Sequence, residues 1–250
     1  MRREALALLV APVLDRKCHA CCCGQRTAHG TPDPGRYRRV SVHVGTSGWS
    51  YPGWRPGFYP AGLQPPEFLA FYAQRFPAVE LNTTGYRLPA EDQFRSWAKQ
   101  APDGFEFAPK LPGHRLRGLD VFEARVRLLG ERLGPVRISL KSARDDGALE
   151  FLLGSLDPSL RLAFDLEHAS WDGVEPRLAA AGAVRVNDLD HAAPFRYLRL
   201  REPPYDDEAL RALAARVRHA GEPVYVFFRH EDEPTAPAYG QRLLELLSEA

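Results

Sequence analysis

The chain has 250 residues, a length that suits one large domain or two small ones. Hydrophobic residues make up 44% and charged residues 26%, a globular composition that excludes a disordered or fibrous chain. No run of 18 apolar residues without charge occurs, so no transmembrane helix is predicted. The net charge of +1 is unevenly spread, because residues 1–39 have eight Lys/Arg and three Asp/Glu whereas residues 40–250 have 25 and 29. Residues 40–250 thus have a net charge of −4, so they are not expected to bind duplex DNA over a broad basic face.

The amino-terminal segment contains all four cysteines, within residues 18–23. A zinc site usually takes its ligands as two separated pairs, and the second pair is missing, so structural zinc is not predicted. Residues 5–14 are apolar like a secretory signal, but Pro12 interrupts them and no small-x-small cleavage site follows. We interpret residues 1–39 as a disordered leader or the product of a start codon placed too far upstream. Because the remaining chain has no cysteine, no disulfide framework is predicted and a cytoplasmic location is expected.

Short β-rich runs alternate with helical patterns from residue 40 onward. The predicted strands are 41–45, 78–82, 105–110, 136–141, 161–167, 183–187, 197–201 and 224–229. The predicted helices are 66–76, 90–100, 120–133, 147–156, 174–181, 206–220 and 238–247. Asp206 can cap the sixth helix and Gly221 follows its end, whereas the connection after Asn187 is too short for a full helix. Eight strand–helix repeats predict an α/β fold, a single TIM-type (β/α)8 barrel over residues 40–250 with one helix reduced. A doubly wound open sheet is the alternative.

Side chains on the predicted strands alternate between apolar and polar types. The apolar set, which includes Val184 and Val186, must pack against the helices, so the other set points into the barrel. The predicted inward set is His43, Ser47, Glu80, Asn82, Glu106, Lys110, Arg137, Ser139, Lys141, Asp165, Glu167, Arg185, Asn187, Arg199, Arg201, Tyr225 and Arg229. Barrel interiors normally hold branched aliphatic residues, so a set with seven Lys/Arg and four Asp/Glu is unusual. Pairing of buried charges would leave an excess of about three positive charges.

This excess predicts an anion site at the mouth of the barrel, the end formed by the carboxyl ends of the strands. Lys110, Lys141, Arg201 and Arg229 all lie at such ends, and walls of low dielectric would focus their field. Two of the four lysines of the chain therefore occupy strand ends, which favours a site that needs a compact or titratable amine. The alternative is that the surplus basic groups reach water at the rim.

The loop after the first strand, residues 45–60, contains five aromatic residues, four glycines and three prolines. Neither a helix nor a strand uses such a composition, and on this fold the loop lies at the carboxyl face, where barrel sites are built. Its rings would stack on sugars or bases, or would only pack over the lumen. The loop has neither of the glycine patterns typical of phosphate-binding loops.

Seven linked motifs follow one another in the chain. They are Gly-Thr-Ser-Gly-Trp at 45–49, Phe-Tyr-Pro at 58–60, Glu-Leu-Asn-Thr-Thr-Gly-Tyr-Arg at 80–87, Phe-Ala-Pro-Lys at 107–110, Leu-Gly-Pro-Val at 133–136, His-Ala-Ser-Trp at 168–171 and Tyr-Val-Phe-Phe at 225–228. In this order they closely resemble the DUF72 (YecE-like) family. The resemblance implies a TIM-type barrel and leaves residues 1–39 outside the family domain. It implies no defined reaction, although the family's barrel is similar to those of abasic-site endonucleases and sugar isomerases.

Three segments depart from the commonest pattern of that family. Ser-Leu-Lys at 139–141 replaces Gln-Leu-Pro, Arg-Leu-Arg-Glu at 199–202 replaces Arg-Leu-His-Gly, and Arg-His at 229–230 replaces Asn-Asn. Because these changes add positive charge at the mouth, we expect a substrate that differs from that of the relatives.

The leading functional hypothesis is an enzyme, a hydrolase, isomerase or lyase, acting on a small phosphorylated or anionic sugar or nucleoside derivative. Glu80 or Asp165 would be a general base, and Lys110 a general acid, an anion clamp or a Schiff-base amine. The structural alternative is that Glu80 with Lys110 and Asp165 with Arg199 are only structural ion pairs. The candidate catalytic residues are Glu80, Lys110, Asp165 and His168. The candidate substrate-binding residues are Ser47, Trp49, Tyr51, Asn82, Tyr86, Arg87, Lys141, Arg199, Arg201, Arg229 and His230.

Two further hypotheses belong to other functional classes. One is a nucleic-acid-binding or metal-dependent, endonuclease-like protein, and the other is a non-enzymatic sensor of an anionic metabolite. The candidate metal ligands at the mouth are Glu80, Asp165, Glu167, His168, Asp188 and His230. Two histidines are few for a zinc cluster, so no cofactor is predicted, while one Mg²⁺ or Mn²⁺ on oxygen ligands stays open. No membrane partner is expected, and the sequence leaves the oligomeric state open.

Overall fold

The computed structural model describes residues 41–112 and 117–249. The predicted leader at 1–39, with its cysteines, therefore lies outside the described residues. The strands are β1 (Val42–Thr46), β2 (Ala78–Leu81), β3 (Glu106–Pro112), β4 (Val136–Leu140), β5 (Leu162–Leu166), β6 (Val184–Arg185), β7 (Arg196–Leu200) and β8 (Val224–Phe228). The α-helices are α1 (Phe68–Ala73), α2 (Glu91–Gln100), α3 (Leu119–Val126), α4 (Asp146–Ser155), α5 (Glu175–Ala180), α6 (Asp207–Arg218) and α7 (Thr235–Ser248). The fold is thus mixed α/β, as the alternating pattern predicts.

The strands form two parallel sheets whose neighbours are hydrogen-bonded, β7–β8–β1 and β2–β3–β4–β5–β6. Val44 of β1 lies opposite Val226 of β8, and Ser139 of β4 lies opposite Asp165 of β5. Because every paired strand is parallel to its neighbour, the carboxyl ends of the strands share one edge within each sheet. The loops that follow the strands, and the polar residues at the strand ends, therefore lie at this edge of each sheet.

A tyrosine hydroxyl joins the two sheets between β1 and β2. The hydroxyl of Tyr72 accepts a hydrogen bond from the backbone N–H of Thr46 (2.8 Å) and donates one to the carbonyl of Ala78 (3.1 Å). The strands approach so closely that a Cβ added to Gly45 would lie 2.0 Å from the oxygen of Ala78. Only glycine fits at this position, because a backbone oxygen cannot move aside as a flexible side chain can.

Asn187 joins the two sheets on the other side, between β6 and β7. Its backbone N–H donates to the carbonyl of Tyr197 (2.9 Å), and its side-chain amide donates to the carbonyl of Arg199 (3.1 Å). The N–H of Arg199 donates back to the Asn187 side chain at 2.6 Å. Asn187 has a φ of +65°, a left-handed conformation that asparagine adopts more readily than most residues.

The helices pack apolar faces on the sheets. On α6, Leu210, Leu213, Ala214 and Val217 are buried at the spacing of one helix face. The side chain of Asp206 accepts from the N–H of Ala209 (2.8 Å), which confirms the predicted amino-terminal cap. The described connection between β6 and β7 holds no helix, as predicted. Among the described helices, none has both the length and the apolar character needed to cross a bilayer.

Two predicted helices are shorter than expected. The predicted helix at 120–133 is α for its first part, then continues as a 3₁₀ helix over Arg127–Arg132. Gly130 within that segment has a φ of +59°, which breaks the regular helical geometry. The predicted helix at 66–76 starts as a 3₁₀ turn over Pro65–Glu67 and ends at Ala73.

The predicted orientation of β6 was wrong. Val184 and Val186 belong to the apolar cluster with Ala163 of β5, on the inner side of the sheet. The side chain of Arg185 points the other way and pairs with Glu175, the first residue of α5. The alternation pattern gave the wrong orientation because Arg185 forms an ion pair with Glu175 on the helix side of the sheet. Its side chain therefore does not need to point to the inner side to be neutralised.

Candidate functional site

A buried carboxylate lies at the centre of the polar residues on the strands. Glu80 of β2 has no solvent-exposed surface and accepts hydrogen bonds from the hydroxyls of Ser47 (2.8 Å) and Tyr197 (2.7 Å). Arg199 of β7 donates to it at 3.1 Å, and the guanidinium of Arg137 on β4 lies 2.6 Å from it. Burial alone would raise the pKa of Glu80, but the two guanidinium groups hold that pKa well below its usual value. Glu80 is therefore an anion at any ordinary pH.

A second buried carboxylate, Asp165 of β5, continues this network. It accepts from Arg137 at 2.6 Å and pairs with Arg201, which follows β7. Arg137 thus bridges the two carboxylates, and it also donates to the side-chain oxygen of Asn82 (3.1 Å). Buried ions are stable only when paired and hydrogen-bonded, which explains why these charged side chains converge.

Lys110 of β3 completes what we call the cationic site, which comprises Glu80, Lys110, Arg137, Asp165, Arg199 and Arg201. Four of these groups are cations and two are carboxylates, so the site carries two surplus positive charges. In the described part of the chain, no carboxylate lies within ion-pair distance of Lys110. Its ammonium nitrogen lies 5.1 Å from the centre of the Tyr86 ring.

The environment of Lys110 disfavours its protonated form. Partial burial lowers the pKa of the Lys110 amine, and the positive charges of Arg137, Arg199 and Lys141 lower it further. The negative charge of Glu80 raises that pKa but does not offset the other effects. Lys110 is therefore a more available proton donor or nucleophile than an exposed lysine.

A histidine lies beside the network on the loop after β8. The ring of His230 stacks on Tyr51 with 4.5 Å between ring centres, and the hydroxyl of Tyr51 donates to the carbonyl of Ser47 (2.7 Å). Nδ1 of His230 is buried and has no hydrogen-bond partner in the described structure. Burial and the charges of Arg229 and Arg199 lower the pKa of His230, so its neutral form is favoured at pH 7.

A groove of about 920 Å³ opens beside Glu80, between the loops after β1 and β2 and the helices α1 and α2. Trp49, Tyr51, Tyr86 and Arg87 line it at the carboxyl end of the strands. Tyr86 is 78% exposed, whereas Trp49 is 9% exposed because it packs edge-on against Trp97. The aromatic loop therefore supplies both core packing and a groove wall.

A second cavity of about 410 Å³ lies on the other side of Arg199. Arg199 and Arg201 line it together with several acidic residues, and other arginines in its wall are paired, as Arg185 is with Glu175. Its walls hold six carboxylates and four arginines, so the formal charge of this cavity is net negative, in contrast to that of the cationic site.

Some of the predicted site residues lie at the rim or away from the site. Lys141 is exposed and pairs loosely with Glu167 at 3.6 Å, and the side chain of Arg229 is also exposed. His168 is exposed, and its Nδ1 accepts from the N–H of Ser170 (3.1 Å), where it caps a short 3₁₀ helix. His168 is a predicted site residue because it follows β5, but its ring nitrogen bonds to the neighbouring Ser170.

Two groups of residues contribute to the site or the groove without being predicted from the sequence. Tyr197 precedes Arg199 by two residues on β7, so the alternation of the strand could have placed it inside beside Glu80. Gln93, Ser96 and Gln100 of α2 line the groove, and only the spacing of polar residues on one helix face could have indicated them.

The candidate metal ligands do not form a cluster. Across residues 41–112 and 117–249, no group of three or more His, Cys, Asp or Glu side chains is placed to hold a metal ion. Glu80 and Asp165 have their oxygens occupied by arginines, and His168 and Asp188 make contacts of their own. The side chains of Glu80, Asp165, His168 and Asp188 are therefore already partnered within the protein.

The parallel sheets, the covering helices and polar strand ends define the class: an α/β protein whose candidate site lies at the carboxyl ends of its strands. The sequence profile of the family described as "Protein of unknown function DUF72" matches residues 43–250. The chain belongs to this family, as its motifs predict.

The comparisons also give individual relatives. UPF0759 protein YecE of Escherichia coli (strain K12) is 31% identical over 140 residues, which are 51% of this chain and 48% of YecE. The chain thus matches about half the length of this curated relative. A DUF72 family protein from Thermotoga maritima has a TM-score of 0.72 at 24% identity, covering 83% of this chain and 99% of its own. One from Enterococcus faecalis has a TM-score of 0.64 at 14% identity, covering 84% and 98%. These two structural likenesses concern the fold.

Proposed function

We propose that this protein is an enzyme that binds a small anionic substrate, a phosphorylated sugar or nucleoside derivative, at the carboxyl ends of its strands. The observation that carries the proposal is the charge balance of the cationic site. Three arginines share two carboxylates, and Lys110, the fourth cation, has no carboxylate partner among the described residues. A surplus of buried or half-buried positive charge is costly unless an anion completes it, so the site is suited to a phosphate or carboxylate group.

The proposal includes a single TIM-type barrel formed by the two sheets. The hydrogen bonds of Tyr72 and Asn187 across the two joins support this arrangement. In such barrels the loops after the strands build the active site, and the strand carboxyl ends supply its catalytic residues. Lys110, Arg199 and Arg201 lie at or just before such ends.

In the proposed enzyme the residues have different roles. Glu80 is a positioning residue, because its oxygens already accept from Ser47, Tyr197 and Arg199 and its lowered pKa makes it a weak base. Lys110 is the catalytic candidate, since no carboxylate of the described residues pairs with its amine and its pKa is lowered. It would contact the anion and supply a proton or a nucleophilic amine. His230, which stacks on Tyr51, is neutral at pH 7 and would act as a base.

A thermal-shift screen tests the proposal. The protein would be mixed with inorganic phosphate, sugar phosphates, nucleotides and a short oligonucleotide, each with and without Mg²⁺, Mn²⁺ and Zn²⁺. Stabilisation by small phosphates without metal is the expected result, because ligands that bind only the folded state raise its stability. Stabilisation by the oligonucleotide with metal alone would instead favour nucleic-acid processing. A flat response to every small anion would overturn the proposal.

An activity screen then separates an enzyme from a sensor. The phosphates that stabilise the protein would be incubated with the wild type and with Lys110→Met, and the products would be followed by mass spectrometry. Conversion by the wild type and its loss in the variant is expected. Binding without conversion of any ligand would favour the metabolite sensor.

A further inference from the structure

The wall of the groove formed by α2 has an unusual composition. Gln93, Ser96, Trp97 and Gln100 follow the spacing i, i+3, i+4 and i+7, so they form one stripe, and all four line the groove. Three of the four are neutral hydrogen-bonding residues, and none is charged. Gln93 and Gln100 are exposed and Ser96 is half-buried, so these polar groups are open to a ligand in the groove.

The other surfaces of the groove complement this stripe. Pro65, Pro66 and Leu69 form an apolar wall at the start of α1, and the exposed ring of Tyr86 lies where the groove meets the strand ends. Lys110 places its ammonium nitrogen 5.1 Å from the centre of that ring. Of the six residues of the cationic site, Glu80 lines the groove, and Tyr86 both lines the groove and lies next to Lys110. The groove therefore borders the cationic site and offers neutral donors and acceptors facing apolar groups.

The polar groups of the stripe are available to a ligand. Gln100 donates to the hydroxyl of Ser96 at 2.9 Å, which holds both groups in place and leaves the oxygen of Gln100 free to accept. The Gln93 side chain has no partner among the described residues, and neither does the side chain of Arg87 beside Tyr86. Neutral amides and hydroxyls opposite apolar walls are suited to a saccharide, whose hydroxyls need hydrogen bonds while its C–H faces pack on apolar groups.

The size of the groove sets the size of the ligand. Gln93 and Gln100 are seven positions apart in the sequence, which on an α-helix corresponds to about 10 Å. The volume of about 920 Å³ lies near the upper end of ordinary ligand pockets, so a phosphate ion or one sugar ring would leave most of it empty.

We infer that the groove binds the neutral part of the substrate, and that the substrate is a phosphorylated saccharide of at least two rings. The phosphate lies at the cationic site, and the rings extend along the stripe of α2. This inference rests on the proposed function, because it takes the cationic site as the anchor for the phosphate. It adds the prediction that affinity and specificity come from Gln93, Ser96 and Gln100.

Equilibrium titrations with two kinds of probe test the inference. The probes are inorganic phosphate and a panel of disaccharide phosphates of different stereochemistry, with adenosine monophosphate as a competing class. They would be titrated into the wild type, into the double variant Gln93→Ala/Gln100→Ala, and into the control Gln74→Ala. Gln74 is exposed at the end of α1 and lines neither cavity. Alanine favours helices, so the double variant is expected to fold, which circular dichroism would verify.

We expect the substitutions to change the affinity for a disaccharide phosphate but not the affinity for inorganic phosphate. At least one disaccharide phosphate binds the wild type more tightly than inorganic phosphate, and the double variant weakens it on the order of ten-fold, as expected for the loss of two hydrogen bonds. Inorganic phosphate binds the double variant, the control and the wild type alike.

Three outcomes would overturn the inference, and they differ in what they leave standing. If inorganic phosphate binds but no disaccharide phosphate binds more tightly, the groove assignment fails and the proposed anion site survives. Tighter binding of adenosine monophosphate, weakened in the double variant, would reassign the groove to a nucleoside. If neither inorganic phosphate nor any other phosphate binds the wild type, the proposed function itself fails.

Discussion

The substitution Glu80→Gln tests whether the network around this carboxylate is a structural ion cluster. It removes one negative charge from a site that has no exposure to solvent and leaves Arg137 and Arg199 facing a neutral amide. The glutamine also replaces one acceptor oxygen by an NH₂ group, so a hydrogen bond from Ser47 or Tyr197 is lost.

The size of the effect follows from the burial. Breaking a buried ion pair by removing one partner costs about 3–5 kcal/mol, because the remaining charge is left uncompensated. For a protein of this length, 1 kcal/mol changes the melting temperature by about 2–4 °C, so Glu80→Gln is expected to lower it by roughly 10 °C. The milder variant Tyr197→Phe removes one hydrogen bond to a charged acceptor and is expected to cost about 1.5–3 kcal/mol.

Urea-induced unfolding at several pH values measures the free energy of unfolding directly. Because the pKa of Glu80 is lower in the folded state than in the unfolded state, its stabilisation is present above the unfolded pKa and is lost as the pH falls through the folded one. The difference between wild type and Glu80→Gln should therefore be largest above about pH 5 and shrink towards pH 2. A difference below about 1 kcal/mol at pH 7, or one that does not change with pH, would refute the ion-cluster account.

Two further predictions concern Lys110 and the contact between β1 and β2. An amine-reactive probe at pH 8 should modify Lys110 faster than the exposed Lys99, once each rate is corrected for the accessibility of the amine, because the pKa of Lys110 is lowered. Equal corrected rates would contradict this prediction. Gly45→Ala should destabilise the protein by about 3 kcal/mol or more, because its Cβ would meet the carbonyl of Ala78 at 2.0 Å. Gly154→Ala in α4, where an added Cβ meets nothing within 4 Å, should instead stabilise by up to about 1 kcal/mol, and similar thermal shifts for both variants would argue against the close approach.

The sequence predicts much of the fold because its signals are local. The eight predicted strands lie within a few residues of those observed, and the Asp206 cap is observed as expected. Period-two alternation also places Glu80, Arg137 and Asp165 together on the inner side of the sheets. These three side chains converge because their strands are neighbours or near neighbours in one parallel sheet.

Other features depend on contacts that a local pattern cannot show. Arg185 lies on the helix side because Glu175 is there to pair with it, a long-range condition that alternation alone does not contain. The position of His168 after β5 predicts a site residue. In the structure, however, its Nδ1 accepts a hydrogen bond from the backbone N–H of Ser170. The stripe on α2 belongs to a groove only because the loop after β1 lies opposite it.

The binding of inorganic phosphate to three proteins tests the central claim most directly. Calorimetric titrations would compare the wild type, Lys110→Met and the control Lys99→Met, whose lysine is exposed on α2. The account predicts saturable binding to the wild type and the control, and at least about ten-fold weaker binding to Lys110→Met, the effect of losing one charge-assisted hydrogen bond. Equal affinity for all three proteins, or no binding to any of them, would contradict an anion site at Lys110.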